Sequence, residues 1–337
     1  MKTLEFAKRL LSIPSPSGYT KDAINFLIQE CQNRNLDYEI LPKGNLVIHL
    51  KGNEDYTIGL SAHVDTLGAM VKSINNDGTL RFTVIGGPIL PTYDGEYCFI
   101  LTRGNKVFKG TFLSNSPSIH VYPNASSLER KEQYMHVRLD EKVKCKDDVL
   151  KLGISVGDFI AAEPKTIITE NGFIKSRFLD DKISIAILFS VIDEIKEKNI
   201  QLKNNVKIII TTYEEVGHGA SSIPQVDELI AIDMGCIGDD LSCTEYDVSI
   251  CAKDSMSPYD FDITNNLVGV AKELKLNYAL DIYPYYGSDV SAALRAGNEI
   301  RGGLIGPGVS ASHGMERTHL EAVNNTIKLI VGYIKNE

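Results

Sequence analysis

Residues 206–215 read VKIIITTYEE, and this stretch decides the fold. Val206, Ile208, Ile209 and Ile210 form a β-branched run that suits a strand covered on both faces. So apolar a strand belongs inside a sheet, and it ends abruptly in Glu214 and Glu215. Other stretches repeat the pattern. Residues 57–65, TIGLSAHVD, end at His63 and Asp65, and residues 228–235, ELIAIDMG, run out at Asp233. Residues 299–308, EIRGGLIGPG, read as a strand entering a Gly-rich loop that leads to His313. Ligands of open α/β sheets bind outside the carboxyl ends of strands, so polar residues concentrated there mark a site.

Between these strands lie helical patterns. Residues 181–198, DKISIAILFSVIDEIKEK, carry a buried helical face. Residues 263–275 and the closing stretch 319–337 are amphipathic, and Ser288 caps a short helix over 288–297. At the N-terminal end, residues 3–13 and 21–35 read as two helices, the second capped by Thr20, followed by the strand NLVIHL at 45–50. Alternating strands and helices predict an α/β fold, a mixed central sheet covered by helices.

The texture changes between residues 69 and 164. Short β-like runs, GTLRFTVIGG, EYCFILTRGNKVFKGTFL and ISVGDFIAAEP, are separated by turn signals. Residues 114–148 are polar and read as a long loop. The expected organisation is a discontinuous catalytic domain, 1–68 with 165–337, carrying an inserted small β-rich domain at 69–164.

The bulk numbers limit the function classes. A chain of 337 residues with net charge −9 has no general affinity for nucleic acid or an anionic membrane surface. No run is long enough to span a bilayer, and the first residues lack the apolar core of a secretory signal. The six cysteines include no CxxC pair, so they read as free thiols of a cytoplasmic protein. Cys236, three residues after Asp233, has its ordinary reading as a small packing residue.

His63, Glu214, Glu215, Asp233 and His313 are imidazoles and carboxylates drawn from separate segments. Nitrogen and oxygen donors without thiolates suit Zn, Co or Mn. Two cations held close together repel, and a shared carboxylate offsets that repulsion. Asp180, beside Asp181 at a helix start, has an ordinary reading as a capping carboxylate; the need for a bridge gives it a second. One of the adjacent glutamates can ligate metal while the other holds water. Asp65 can orient His63 as a hydrogen-bond acceptor, or cap the turn that follows. His218 faces substrate or packs its loop. His49, His120, His136 and His319, the last placed on the final helix, read as structural or exposed.

AHVDTLGAMVKSI, FLDDK, TYEEVGHGA, AIDMG, YGSD and SHGMERT resemble, in this order, the glutamyl/leucyl aminopeptidases of the tetrahedral-aminopeptidase type, some once described as endoglucanases. The resemblance covers nearly the whole chain. It implies a zinc-peptidase-like fold with two divalent metal ions per subunit, Zn or Co, with Mn possible. His63 and Asp233 would hold one, Glu215 and His313 the other, and Asp180 would bridge them. Glu214 would be the general base that takes a proton from the bridging water, and Asp65 the orienting partner of His63. The implied activity is removal of N-terminal residues from short peptides. The insert would be a barrel-like, PA-like dimerisation domain, building dimers into a homo-oligomer of twelve subunits. The chain departs from the pattern at Thr66, Lys182, the shortened EEVGHGA and the loop GPGVSASHG; these changes leave the ligand positions filled and alter their substrate-facing surroundings.

Alternatives of other classes are a related metal-dependent deacylase or carboxypeptidase, a glycoside hydrolase, and a non-catalytic peptide-binding protein on this fold. The first usually carries its insert after the central ligands, whereas here it precedes Asp180. The second needs two carboxylates set apart across a sugar, which adjacent glutamates do not provide.

Overall fold

The computed structural model describes residues 2–336. They form two compact units, one spanning Thr66–Pro164 and the other made of the chain on either side of it.

The larger unit opens with α1 (Lys2–Leu11), α2 (Lys21–Asn33), β1 (Asp37–Ile40), β2 (Leu46–Leu50) and β3 (Glu54–His63). The smaller unit holds β4 (Gly68–Ile74), β5 (Leu80–Ile85), β6 (Tyr97–Leu101), β7 (Val107–Ser114), β8 (Met135–Leu139), α3 (Lys146–Leu152) and β9 (Phe159–Ala162). The chain returns through β10 (Ile167–Ile168), β11 (Phe173–Ser176), α4 (Leu179–Glu197), β12 (Asn204–Thr211), β13 (Glu228–Ile232), β14 (Gly235–Cys236) and β15 (Val248–Lys253). It closes with α5 (Phe261–Glu273), β16 (Tyr278–Ile282), α6 (Asp289–Arg295), β17 (Arg301–Val309), β18 (Glu316–His319) and α7 (Leu320–Asn336).

The large unit is built on a nine-stranded sheet ordered β1-β2-β12-β3-β13-β17-β15-β16, with β14 paired to β17. β12, β3, β13 and β17 are consecutive neighbours and mutually parallel, so their carboxyl ends share one edge. The flanking pairs β2–β12 and β15–β17 are antiparallel, making the sheet mixed. On β12, consecutive Ile208, Ile209 and Ile210 are all fully buried, so both faces of the strand are covered. Each such side chain contributes roughly 1.5–3 kcal/mol by leaving water. α4 is buried nearly all round, from Ile183 to Phe189, as a helix interior to the fold must be. A separate three-stranded sheet, β10-β11-β18, matters for the site below.

In the smaller unit β4-β5-β8-β7-β6-β9 close into a barrel. Here the loop expected over 114–148 is corrected: β8 lies within it and pairs with both β5 and β7. Met135, Val137 and Leu139 point inward while His136 and Arg138 point out, and these polar outward residues hide the strand in a polar stretch.

Other expectations shift locally. Thr20 stands at the N-cap of α2, but its side chain makes no capping bond. Ser288 does cap α6, accepting the Ser291 N–H. The strand expected to end in a Gly-rich loop instead continues as β17 to Val309. Gly306 permits this, because a Cβ there would lie 1.3 Å from the Asp233 carbonyl oxygen. His319 ends β18 rather than lying on α7. Among the described residues no helix is long and apolar enough to cross a membrane.

Candidate metal centre

The four parallel strands deliver most of the expected site residues to one edge. His63 is the last residue of β3, and Asp233 follows β13 directly. Glu214 and Glu215 lie in a 3-10 turn just beyond β12, and His313 in the loop after β17. Adjacent strand residues would point to opposite faces; the turn lets both glutamates reach the same cavity. Asp180 comes from the start of α4, where its backbone (φ −72°, ψ 100°) departs from helical values.

Five of these residues form two overlapping clusters, His63–Asp180–Asp233 and Asp180–Glu215–His313. In each cluster one donor atom per residue lies within 4.8 Å of the others. Asp180 belongs to both. Its Oδ1 is 3.1 Å from His63 Nε2, and its Oδ2 is 3.6 Å from His313 Nε2. One carboxylate therefore turns a different oxygen toward each imidazole. Ser312 donates its hydroxyl to Oδ2 at 3.0 Å. Glu215 Oε2 lies 3.6 Å from His313 Nε2, and Glu214 Oε2 3.7 Å from His63 Nε2.

The electrostatics follow from burial. Burial pushes the carboxyl of Asp233 up to about 7, helped by the charge of Asp180 and opposed by His63. Glu214 and Glu215 are likewise pushed well up by burial, with neighbouring carboxylates adding and His63 opposing. Asp180 goes the other way: burial acts to raise it, but the hydrogen bond and charge of His63, with His313 and Ser312, bring it below the usual range. Buried negative groups crowded like this need positive charge.

Whether the residues fit a metal can be tested on two features. The donor set is imidazole nitrogen and carboxylate oxygen, which suits borderline divalent cations. Glu215 Oε1 is buried with no hydrogen-bond partner among the described residues, an orphan acceptor on a residue of the second cluster. Both agree with a cation site.

Asp65 meets His63 chiefly through its main chain. His63 Nδ1 is 2.9 Å from the backbone carbonyl of Asp65, while the Asp65 carboxylate is 3.6 Å away. That carboxylate is fully buried and accepts the N–H groups of Glu214 and Glu215 at 3.1 and 3.3 Å, and the Ser17 hydroxyl at 2.5 Å. It anchors the glutamate turn, and its own carbonyl orients the imidazole. His218 is exposed and stacks on Tyr213 at 4.8 Å, so it packs its loop. Cys236 is half-buried against the apolar cluster around Cys251 and Tyr283, with burial pushing its thiol up, and it belongs to neither ligand cluster.

Sequence reasoning missed several contributors. Ser17 sits far upstream with no local signal. Asp181 accepts the His63 backbone N–H at 3.1 Å, across 118 positions that no local pattern links. Glu316, inside the SHGMERT motif, is buried and accepts backbone N–H groups from both Asp180 and His313. The cavity beside the clusters, about 260 Å³, has a second wall that includes Tyr285, Tyr286, Ser288 and Arg295. Arg295 is the one lysine or arginine lining it among the described residues.

Comparison with known proteins agrees with the resemblance. The family model for the M42 glutamyl aminopeptidases matches residues 44–329. YhfE of Bacillus subtilis (strain 168), named a candidate aminopeptidase, is 45% identical over 338 residues, covering 99% of this chain and 98% of its own. The lysyl aminopeptidase of Pyrococcus furiosus is 24% identical over 215 residues, 63% of this chain and 60% of its own. Among solved structures, the TET aminopeptidase of Thaumarchaeota archaeon SCGC AB-539-E09 superposes with TM-score 0.89 at 20% identity, covering 99% and 96% of the two chains. The TET1 peptidase of Pyrococcus horikoshii superposes with TM-score 0.86 at 22% identity, covering 98% and 99%. At these identities the structures speak for the fold, while the family model spans most of the sequence. The chain belongs to the M42 glutamyl aminopeptidase family.

Proposed function

We propose that the protein is a metal-dependent aminopeptidase that removes N-terminal residues from short peptides, with two divalent cations at its centre. The observation that carries this reading is Asp180. One carboxylate shared by two ligand clusters, an oxygen toward each histidine, is what a pair of cations requires. His63, Asp233 and Asp180 would hold one ion, and Glu215, His313 and Asp180 the other. Zinc or cobalt suits these donors, and manganese is compatible. When bound, the cations supply positive charge that acidifies an attacking water and polarises the scissile carbonyl.

The protein's own groups do the rest. Glu214 lies beside the clusters without belonging to either, and its side chain is only 17% exposed. That position fits the group that accepts the water's proton at Oε2 and delivers it to the departing amine. Asp65 fixes Glu214 by its backbone N–H, so the carboxyl is aimed by the main chain. Tyr285, Tyr286, Ser288 and Arg295 form the wall that would meet the peptide.

The P. horikoshii TET1 peptidase assembles into a tetrahedron or a large octahedral shell. We extend homo-oligomeric assembly to this chain, with the barrel unit as the dimerising element and the cytosol as the place of action.

The test is hydrolysis of a short peptide with a free amino terminus and of its N-acetylated twin, by metal-loaded and by chelator-treated protein. Cleavage of the free peptide alone, abolished by chelator and restored by metal, is expected. Equal cleavage of both peptides would refute an aminopeptidase, and chelator-resistant cleavage would refute metal dependence.

A further inference from the structure

Asp180, at the irregular start of α4, and His313, in the loop after β17, have no regular structure that sets the distance between them. Asp180 and Asp181 depart from helical geometry, and the preceding Phe178 has φ +67°. His313 itself has φ +65°, and Ala311 has φ +59°. Non-glycine residues rarely occupy the left-handed region, and they stay there only when their surroundings hold them. Something must therefore tie these two segments together.

The three-stranded sheet brings them near each other. β11 pairs antiparallel with β18, with Ser176 opposite Glu316. β11 leads through Arg177 and Phe178 to Asp180, and β18 begins three residues after His313. Glu316 is the first residue of β18 and only 2% exposed, so water does not compete for its oxygens. Its Oε2 accepts the Asp180 N–H at 3.1 Å, and its Oε1 accepts the His313 N–H at 3.1 Å. The separation of two oxygens on one carboxylate is fixed by covalent geometry, so the two ligand backbones are referenced to one rigid group.

Resting on the metallopeptidase reading above, we infer that Glu316 is a positioning residue: by accepting the backbone N–H of both Asp180 and His313, it sets the spacing of these ligands and so tunes the cation site they share. A carboxylate is suited to this task and an amide is not. Glu316→Gln keeps size and shape, but its NH2 group would face one of the two N–H donors. That ligand segment would lose its tie. Outer partners of metal ligands typically change affinity by about 10–100-fold.

The test compares Glu316→Gln with Thr318→Val, a change in the same strand. Thr318 donates to the Gly308 carbonyl at 2.6 Å and makes no contact with Asp180 or His313 through that hydroxyl. It measures what a purely structural loss in β18 does. Metal-free wild type and both variants are titrated with cobalt(II), following visible absorption, and melted without metal. Glu316→Gln is expected to melt near Thr318→Val, yet bind cobalt roughly 10–100-fold more weakly and show altered visible bands. Thr318→Val should keep the wild-type affinity and bands. If Glu316→Gln does not fold, Glu316→Asp, which keeps both oxygens on an arm one methylene shorter, is titrated against the same criteria. Cobalt affinity and bands matching Thr318→Val would overturn the inference, as would failure of both Glu316 variants to fold, which makes the residue structural. A wild type that binds no cobalt would overturn the metallopeptidase reading beneath it instead.

Discussion

Glu214 and Glu215 are neighbours in the chain with different surroundings, and the difference separates their roles. Glu215 faces His313 within a ligand cluster; Glu214 stands beside His63, outside both clusters. Glu214→Gln should therefore reduce kcat by about 10²–10⁴-fold while leaving metal content unchanged, as read by steady-state hydrolysis and elemental analysis of one preparation. Loss of metal together with activity would make Glu214 a ligand instead. Asp289, from the YGSD motif, makes a separate prediction. It is buried, its Oδ2 accepts the Thr211 hydroxyl at 2.7 Å, and burial lifts its carboxyl from 3.8 to about 6, against the pull of Thr211 and His63. Because the folded state holds this proton more tightly than the unfolded chain, stability is fully present below about pH 4. It falls as pH rises through about 6, by about 3 kcal/mol in all. Asp289→Asn cannot titrate, so its thermal midpoint should fall less than that of wild type between pH 4 and 7. Parallel curves would show that Asp289 does not contribute.

At the scale of elements, close backbone approach and capping give opposite predictions. Gly306→Ala places a Cβ against the backbone carbonyl of Asp233, a proposed ligand. It should impair folding or metal binding, measured as soluble yield and metal content. Asp260 caps α5, accepting the Asp262 and Ile263 N–H groups at 3.0 Å, far in role from the site. Asp260→Ala should cost about 1 kcal/mol, a small drop in thermal midpoint, and leave kcat/KM unchanged. What the sequence made legible follows the same division. β3, β12 and β13 are readable because apolar runs end in His63, Glu214–Glu215 and Asp233, and strand ends face the site in this kind of sheet. β8 was hidden because its outward residues are His136 and Arg138, so its inward Met135, Val137 and Leu139 look scattered in a polar stretch. β18 is only four residues long, and its role depends on pairing with β11 about 140 positions away, which no local pattern carries. Ser17 and Glu316 escaped for the same reason: their partners are remote in sequence.

At the scale of the whole molecule, the family model spans both units, the candidate ligand clusters lie in the larger one, and the proposed assembly would use the barrel unit. In that unit Ile119 and Val121 are 73% and 69% exposed, large apolar side chains on a polar loop. Native mass should be a multiple of the 37.2 kDa chain, and the double change Ile119→Asp, Val121→Asp should lower it. An unchanged mass would remove this loop from the contact. The central claim, however, is the metal pair, and counting ions tests it most directly. Wild type, His63→Ala and His313→Ala are dialysed to equilibrium against zinc, and bound metal per chain is measured. The account predicts two ions for wild type and about one for each variant, because each histidine serves a different cluster through the shared Asp180. Fewer than two ions in wild type, or two retained in both variants, would contradict it.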